Sequence, residues 1–152
     1  MSEQTPEARL EQLGITLPAA SPPAARYANY VIAGGLLFLS GKGPSSRPKG
    51  KLGKEFTTEE GYRFARQTGL EVLAVLQDAL GSLSRIKRVV KVQGFVNADP
   101  AFEEPHKVLD GFSELMHEVF GEKGNHARSV LGASTLRDGL PIVVDSIYEL
   151  ED

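Results

Sequence analysis

The sequence predicts an α+β fold, in which a mixed sheet carries two long helices on one of its faces. Three observations lead there. Strand-like runs and helical stripes follow one another along the 152 residues in the order β-β-α-β-α-β-β. No internal repeat divides the chain, and with 41% hydrophobic residues it has enough apolar mass for one real core. Two β-α-β passages bring both helices to the same side of the sheet. The opposite sheet face is then left without a helix to cover it, and packing against further copies of the chain is the physical remedy.

The elements follow in order. Thr5-Pro6-Glu7 is a helix start, with a capping hydroxyl, a proline at the first helical position and an acid in the first turn. Ala8, Leu10 and Leu13 give that helix a short stripe before Gly14, so it reads as peripheral. Pro18, Pro22 and Pro23 make residues 17–26 an extended connector. Asn29–Ala33 and Leu36–Ser40 flank Gly34-Gly35, the two-residue signal of a β-hairpin. Lys42 to Lys54 is rich in Gly, Pro, Ser and Lys and lacks a phosphate-loop ending, so it reads as a mobile lid or rim.

Thr57 and Glu60 form a capping box. The helix behind it carries Phe64, Ala65, Leu70, Val72, Leu73, Leu76, Ala79 and Leu80 and stops at Gly81, which makes it a core-packing helix. Ile86–Val96 is a strand broken by Asp99-Pro100. A second helix over Glu104–Phe120 places Val108, Phe112, Leu115, Met116 and Val119 on one face, and Gly121 and Gly124 stop it. Ser129–Ala133 and Ile142–Tyr148 are the last two strands, separated by a polar turn with Arg137, Asp138, Gly139 and Pro141.

Composition excludes several chemistries. There are no cysteines, hence no disulfides, thiol nucleophiles or thiolate metal sites. A net charge of −3 and a pI near 5.7 provide no electrostatic footprint for nucleic acid, and Lys87, Arg88 and Lys91 read as a solvated strand edge. No apolar run reaches bilayer-spanning length, and the polar, acidic amino terminus is no secretory signal, so a cytoplasmic protein is expected. His106, His117 and His126 lack metal-ligand spacing, and no serine stands in a nucleophile-elbow context.

What remains is a pair of charges out of place. Arg128 opens the first of the last two strands, and Asp145 interrupts Ile142-Val143-Val144 in the second. A charge inside an apolar strand is costly unless it is paired or faces a wet cleft. Either the two form a structural ion pair, or they serve a small carboxylate-bearing ligand that the guanidinium forks bidentately.

Ala127-Arg128-Ser129, then Asp145 at its fixed distance, Ser40-Gly41 at a strand end with Tyr27 upstream, and Phe95-Val96, Phe102 and Phe112 carry a resemblance. Over about residues 25 to 149 the chain resembles the RidA/YjgF family of reactive-intermediate deaminases, which also bears an older endoribonuclease L-PSP label. Residues 1–24 would then be an amino-terminal extension and 25–152 the family-like domain. The resemblance implies a chorismate-mutase-like fold, a homotrimer with clefts between subunits, and cofactor-free hydrolysis of enamines and imines to 2-oxo acids and ammonia. Arg128 would hold the substrate carboxylate, Asp145 would orient or activate water, and Tyr27 would help position it. Ser40, Gly41 and His106 would complete the substrate-binding set. The chain departs from the family where Asp145 replaces a glutamate, where His106 replaces an asparagine, and where Leu136-Arg137 replaces a Leu-Pro pair. A trimer that binds a 2-oxo acid without turnover is the second reading. A ribonuclease is a distant third, since no basic, aromatic-rich surface supports it.

Overall fold

The strands β1 (Tyr30–Ala33), β2 (Leu36–Lys42), β3 (Ile86–Asn97), β4 (Ala127–Ala133) and β5 (Ile142–Leu150) form one sheet in the order β1-β2-β5-β3-β4. This is a computed structural model, and it describes residues 4–152; the first three residues of the expected extension lie outside the described residues. The pair β3–β4 is parallel and the other three are antiparallel, so the sheet is mixed. The last strand therefore does not pair with the one before it. It returns to the centre, between β2 and β3, and leaves β4 at the edge. Strand β3 is interior from Lys91 onward, where β4 pairs with it; Lys87 and Arg88 precede that pairing and are exposed, a solvated strand edge as expected, whereas Lys91 is half-buried beside β4.

Helices α2 (Thr58–Leu80) and α3 (Pro105–Phe120) cover one face. The capping box of Thr57 and Glu60 opens α2, and Gly81 closes it in the left-handed conformation at φ 79°. All five predicted apolar positions of α3 are fully buried, against Val72, Leu73 and Leu76 of α2 and Leu37, Leu39, Val92, Val96, Val144 and Tyr148 of the sheet. The helices approach closely at Gly111, where a Cβ would stand 2.1 Å from the Tyr62 carbonyl oxygen. Only a residue without a side chain fits there.

Two expectations change. The stretch after β2 is stitched down rather than mobile. Leu52 is fully buried and bridges Phe56 and Ala98, Gly50 N–H donates to the Gly139 carbonyl at 2.9 Å, and Lys51 Nζ donates to Asn97 Oδ1 at 2.8 Å and to the Ser134 carbonyl. Helix α1 (Pro6–Gln12) is less peripheral than its short stripe suggests. Leu10 is buried, and the Glu7 carboxylate accepts from Leu83 N–H at 2.7 Å and from the hydroxyls of Ser82 and Ser84, clamping the turn that follows α2.

The uncovered face is ordered in rows, because directly paired residues share a face. Val31, Phe38 and Ile147 form one apolar row, and Val143, Phe95 and Leu131 form another. Val31, Phe38 and Leu131 are exposed there. A patch of this kind marks an interaction surface.

The Glu7 clamp yields a pH-dependent test. Burial raises the Glu7 carboxyl, but its hydrogen bonds outweigh burial and the net shift is below 4.5. Its contribution is therefore fully present above that value and disappears as pH falls through the lowered one. Glu7→Ala should cost about 1–3 kcal/mol at neutral pH, and the deficit should shrink as the solution is acidified. Urea unfolding at several pH values measures this; a deficit that stays constant into acid would contradict the clamp.

Candidate functional site

The paired register decides where the two out-of-place charges point. Val92 on β3 pairs with Arg128 on one side and with Ser146 on the other, so Arg128 shares the helix-covered face. Gln93, one residue on, pairs with Ser129 and Asp145, which therefore lie on the uncovered face. Within one copy, Arg128 and Asp145 stand on opposite sides of the sheet. The structural ion pair between them does not form.

Arg128 is instead bound to α3. Its NH1 donates to Asp110 Oδ1 at 2.8 Å and to Ser113 Oγ at 3.3 Å, while NH2 donates to the His106 carbonyl at 3.3 Å. Behind Ser113 stands His126, whose Nδ1 lies 2.6 Å from the Gly124 carbonyl and whose Nε2 lies 2.9 Å from Ser113 Oγ. A carbonyl can only accept, so Nδ1 carries the proton and Nε2 accepts from the serine hydroxyl. Burial pushes the His126 pKa down, in keeping with this neutral form. The serine keeps a lone pair for Arg128, and the guanidinium is held on three sides with about a quarter of its side chain still exposed.

Asp145 sits in a polar strip, Asp145–Gln93–Ser129, between the two apolar rows of the uncovered face. Desolvation raises its carboxyl above 3.8, opposed by the charge of Lys91. On its other flank the β2–β5 register breaks between Leu39 and Lys42, at Ser40 and Gly41. Gly41 allows a close approach there, since a Cβ would stand 2.8 Å from Val143 Cγ1 and the valine would have to shift. Ser40 Oγ donates to the Ala28 carbonyl at 2.6 Å and so holds the Pro-rich connector against the strand.

Tyr27, at the end of that connector, is 45% exposed and lines a cleft with Gly41, Lys42 and the segment from Gly43 to Arg47. Of the stretch read as a lid or rim, Lys42 to Ser45 and Arg47 line this cleft. The cleft belongs to one copy and contains neither Arg128 nor Asp145. His106 is exposed, and it meets Arg128 through its backbone carbonyl. Among the described residues, no three His, Asp or Glu side chains gather as metal ligands would, and no helix is long and apolar enough to cross a membrane.

Asp110, Ser113, Gln93, Lys42 and Glu71 went unnoticed in the sequence. His106, Asp110 and Ser113 have i, i+4 and i, i+7 spacing on one helix face, a signal that gains meaning only once β4 is known to lie beside α3.

A one-sided α+β layer carries a desolvated carboxylate on its bare face and, on the other face, an arginine at the edge strand buttressed by α3. The comparisons agree on its family. The sequence profile described as "YjgF/chorismate mutase-like, putative endoribonuclease" matches residues 7–143, and the chain belongs to this YjgF/RidA family. Protein TCP17 of Trypanosoma cruzi is 43% identical over 150 residues, covering 95% of this chain and 94% of that one. Among solved structures, protein Atu1372 of unknown function from Agrobacterium tumefaciens is 38% identical with a TM-score of 0.88, over 96% of this chain and 92% of that one. A "putative endoribonuclease" from Shewanella oneidensis is 35% identical with a TM-score of 0.93, over 97% and 100%.

Asp110 already supplies Arg128 with a negative charge, so an incoming carboxylate gains less than it would at a free guanidinium. Asp110→Asn should therefore tighten binding of a simple 2-oxo acid such as pyruvate by about two- to fivefold, the scale of a partly exposed ion pair. Calorimetric titration measures it. Unchanged or weaker binding would mean that Arg128 is not where the carboxylate lands.

Proposed function

We propose that this protein is an imine and enamine deaminase whose cleft is completed between copies of the chain in a homotrimer. One copy would contribute Arg128 with the edge of β4 and α3. The next would contribute Asp145 with Ser40, Gly41 and Tyr27. The observation that carries this reading is the opposition of Arg128 and Asp145 across one sheet, with the carboxylate on an apolar face that has no cover of its own. Each is half of a site that binds a carboxylate and works on a neighbouring carbon, and only a second copy can bring the halves together.

The chemistry asked of these residues is modest. Arg128 forks the carboxylate of a 2-imino acid and fixes the imine carbon beside the Asp145 strip. With the substrate nitrogen protonated as an iminium, Asp145, ionised, accepts a proton as a water oxygen adds to that carbon, and the nitrogen becomes a neutral amine. The acid then protonates the amine nitrogen, and as the carbon–nitrogen bond breaks the hydroxyl proton passes to Asp145, giving a 2-oxo acid and ammonia, which takes up that proton and leaves as ammonium. A carboxyl raised by desolvation is a stronger base than an ordinary aspartate, so it takes the proton of water more readily, and the more basic amine nitrogen can still draw that proton from it. Tyr27 positions the substrate from the rim. An enamine enters the same path after protonation at carbon.

A binding protein without turnover is the second reading, and it is favoured by an arginine that is kept while the glutamate the resemblance implies is replaced by the shorter Asp145. Two substitutions separate the readings. Arg128→Ala should abolish both 2-oxo acid binding and hydrolysis of imines generated in situ, while the assembly keeps a mass near 49 kDa, three times the 16.4 kDa chain. Asp145→Asn should lower turnover by roughly 10²–10⁴-fold, the range for loss of a general acid–base group, with ligand binding largely kept. Wild-type protein that binds 2-oxo acids but turns over no imine would make it a binder. Full activity in Arg128→Ala would defeat the site.

A further inference from the structure

The Tyr27 cleft holds charges that the deaminase reading does not use. It encloses about 310 Å³ within one copy, and Lys42, Arg47, Glu71, Arg137 and Asp138 line it beside Tyr27. Lys42 and Glu71 are each only 6% exposed. Lys42 is fully engaged, since its Nζ donates to Ser21 Oγ at 3.0 Å, to the Ser21 carbonyl at 3.3 Å and to the Pro22 carbonyl at 3.4 Å. Glu71 is not. Its Oε2 is buried and has no hydrogen-bond partner. Desolvation raises the Glu71 carboxyl, and the Lys42 charge opposes the rise.

The exposed part of the lining has the opposite character. Arg47 and Arg137 stand there, with Asp138 beside Arg137 at 3.5 Å. Arg47 and Asp138 adopt left-handed backbone at φ 50° and 56°, and among the described residues they alone do so without being glycine. Strained backbone persists where the surrounding structure holds it, and it concentrates at binding sites. Here both instances fall on one cleft.

These features select a ligand class. A buried acceptor with no donor calls for a cationic hydrogen-bond donor, and the two outer guanidinium groups call for an anion. A simple anion would meet Glu71, and a simple cation would meet the arginines. We infer that the cleft binds a free amino acid, with its ammonium on Glu71 and its carboxylate held by Arg137 and Arg47. The site shares Tyr27 and Gly41 with the proposed deaminase cleft but does not depend on it, since neither Arg128 nor Asp145 takes part.

The test is calorimetric titration of the assembled Arg128→Ala protein, in which the carboxylate site of the deaminase reading is disabled. Glycine, L-alanine and L-glutamate serve as ligands, with acetate and methylamine as single-charge controls. At least one amino acid should bind with the same affinity as to wild type, and neither control should displace it. Adding Glu71→Gln should weaken binding by about tenfold or more, the scale of losing one partner of a desolvated charge pair. Arg137→Ala, an exposed change that leaves the fold alone, should also weaken it. The proposal is overturned if no amino acid binds at about 10 mM, if Arg137→Ala and Glu71→Gln leave the affinity unchanged, or if Arg128→Ala alone abolishes it.

Discussion

The structure depends on one constraint, that all of its helices lie on one side of the sheet. A strand alternates its side chains between two faces, so every strand of this layer has one residue set facing the helices and another facing outward. On the helix side, Val92, Val96, Val144 and Tyr148 meet α2 and α3 in a dry core. On the bare side, Val31, Phe38, Ile147, Val143, Phe95 and Leu131 would be an uneconomical surface for a lone molecule. Neighbouring copies are the cover that this pattern calls for. The same alternation separates Arg128 from Asp145, because they pair with successive residues of β3. In the proposed trimer, assembly and site construction would be one problem, solved by one surface.

The electrostatics within one copy fit such a division. Arg128 is held by a carboxylate, a hydroxyl and a carbonyl, and His126 supports the hydroxyl from behind. A cation fixed in this way loses little freedom when a ligand arrives, although Asp110 takes part of the attraction that a ligand would otherwise gain. Asp145 is desolvated without a close cationic partner, and its raised carboxyl follows from that. Any further dehydration at an interface would push it in the same direction. Asp145 is shorter by one methylene than the glutamate that the resemblance implies, which draws its carboxylate closer to the strand and to the strip of Gln93 and Ser129.

Much of this was legible in the sequence, where local physics decides. Gly34-Gly35 set the hairpin, Thr57 and Glu60 the start of α2, and the apolar spacing of α3 its buried face, because each rests on neighbours within a turn or two of chain. The pattern also marked Arg128 and Asp145 as charges needing an explanation. The face each would occupy was not legible. That follows from the parallel β3–β4 and antiparallel β3–β5 registers, which are tertiary facts. Asp110 lay unnoticed in α3 for the same reason, and so did Glu71, which stands beside Val72 and Leu73 in an apolar stretch that gives no hint of an orphaned carboxyl oxygen. The segment from Lys42 to Lys54 misled for another reason. Its Gly, Pro and Lys content reads as mobile, but one buried leucine, Leu52, and a lysine that reaches Asn97 are enough to fix it.

The central claim is that a working cleft takes Arg128 from one copy and Asp145 from another, and mixing inactive variants tests it most directly. Arg128→Ala and Asp145→Asn proteins would be unfolded together in equal amounts, refolded, and assayed for hydrolysis of imines generated in situ. With sites formed between copies and random assembly, about a quarter of the clefts should unite an intact Arg128 with an intact Asp145, so about a quarter of wild-type turnover should return. Turnover that stays at the level of the separate variants would contradict the account.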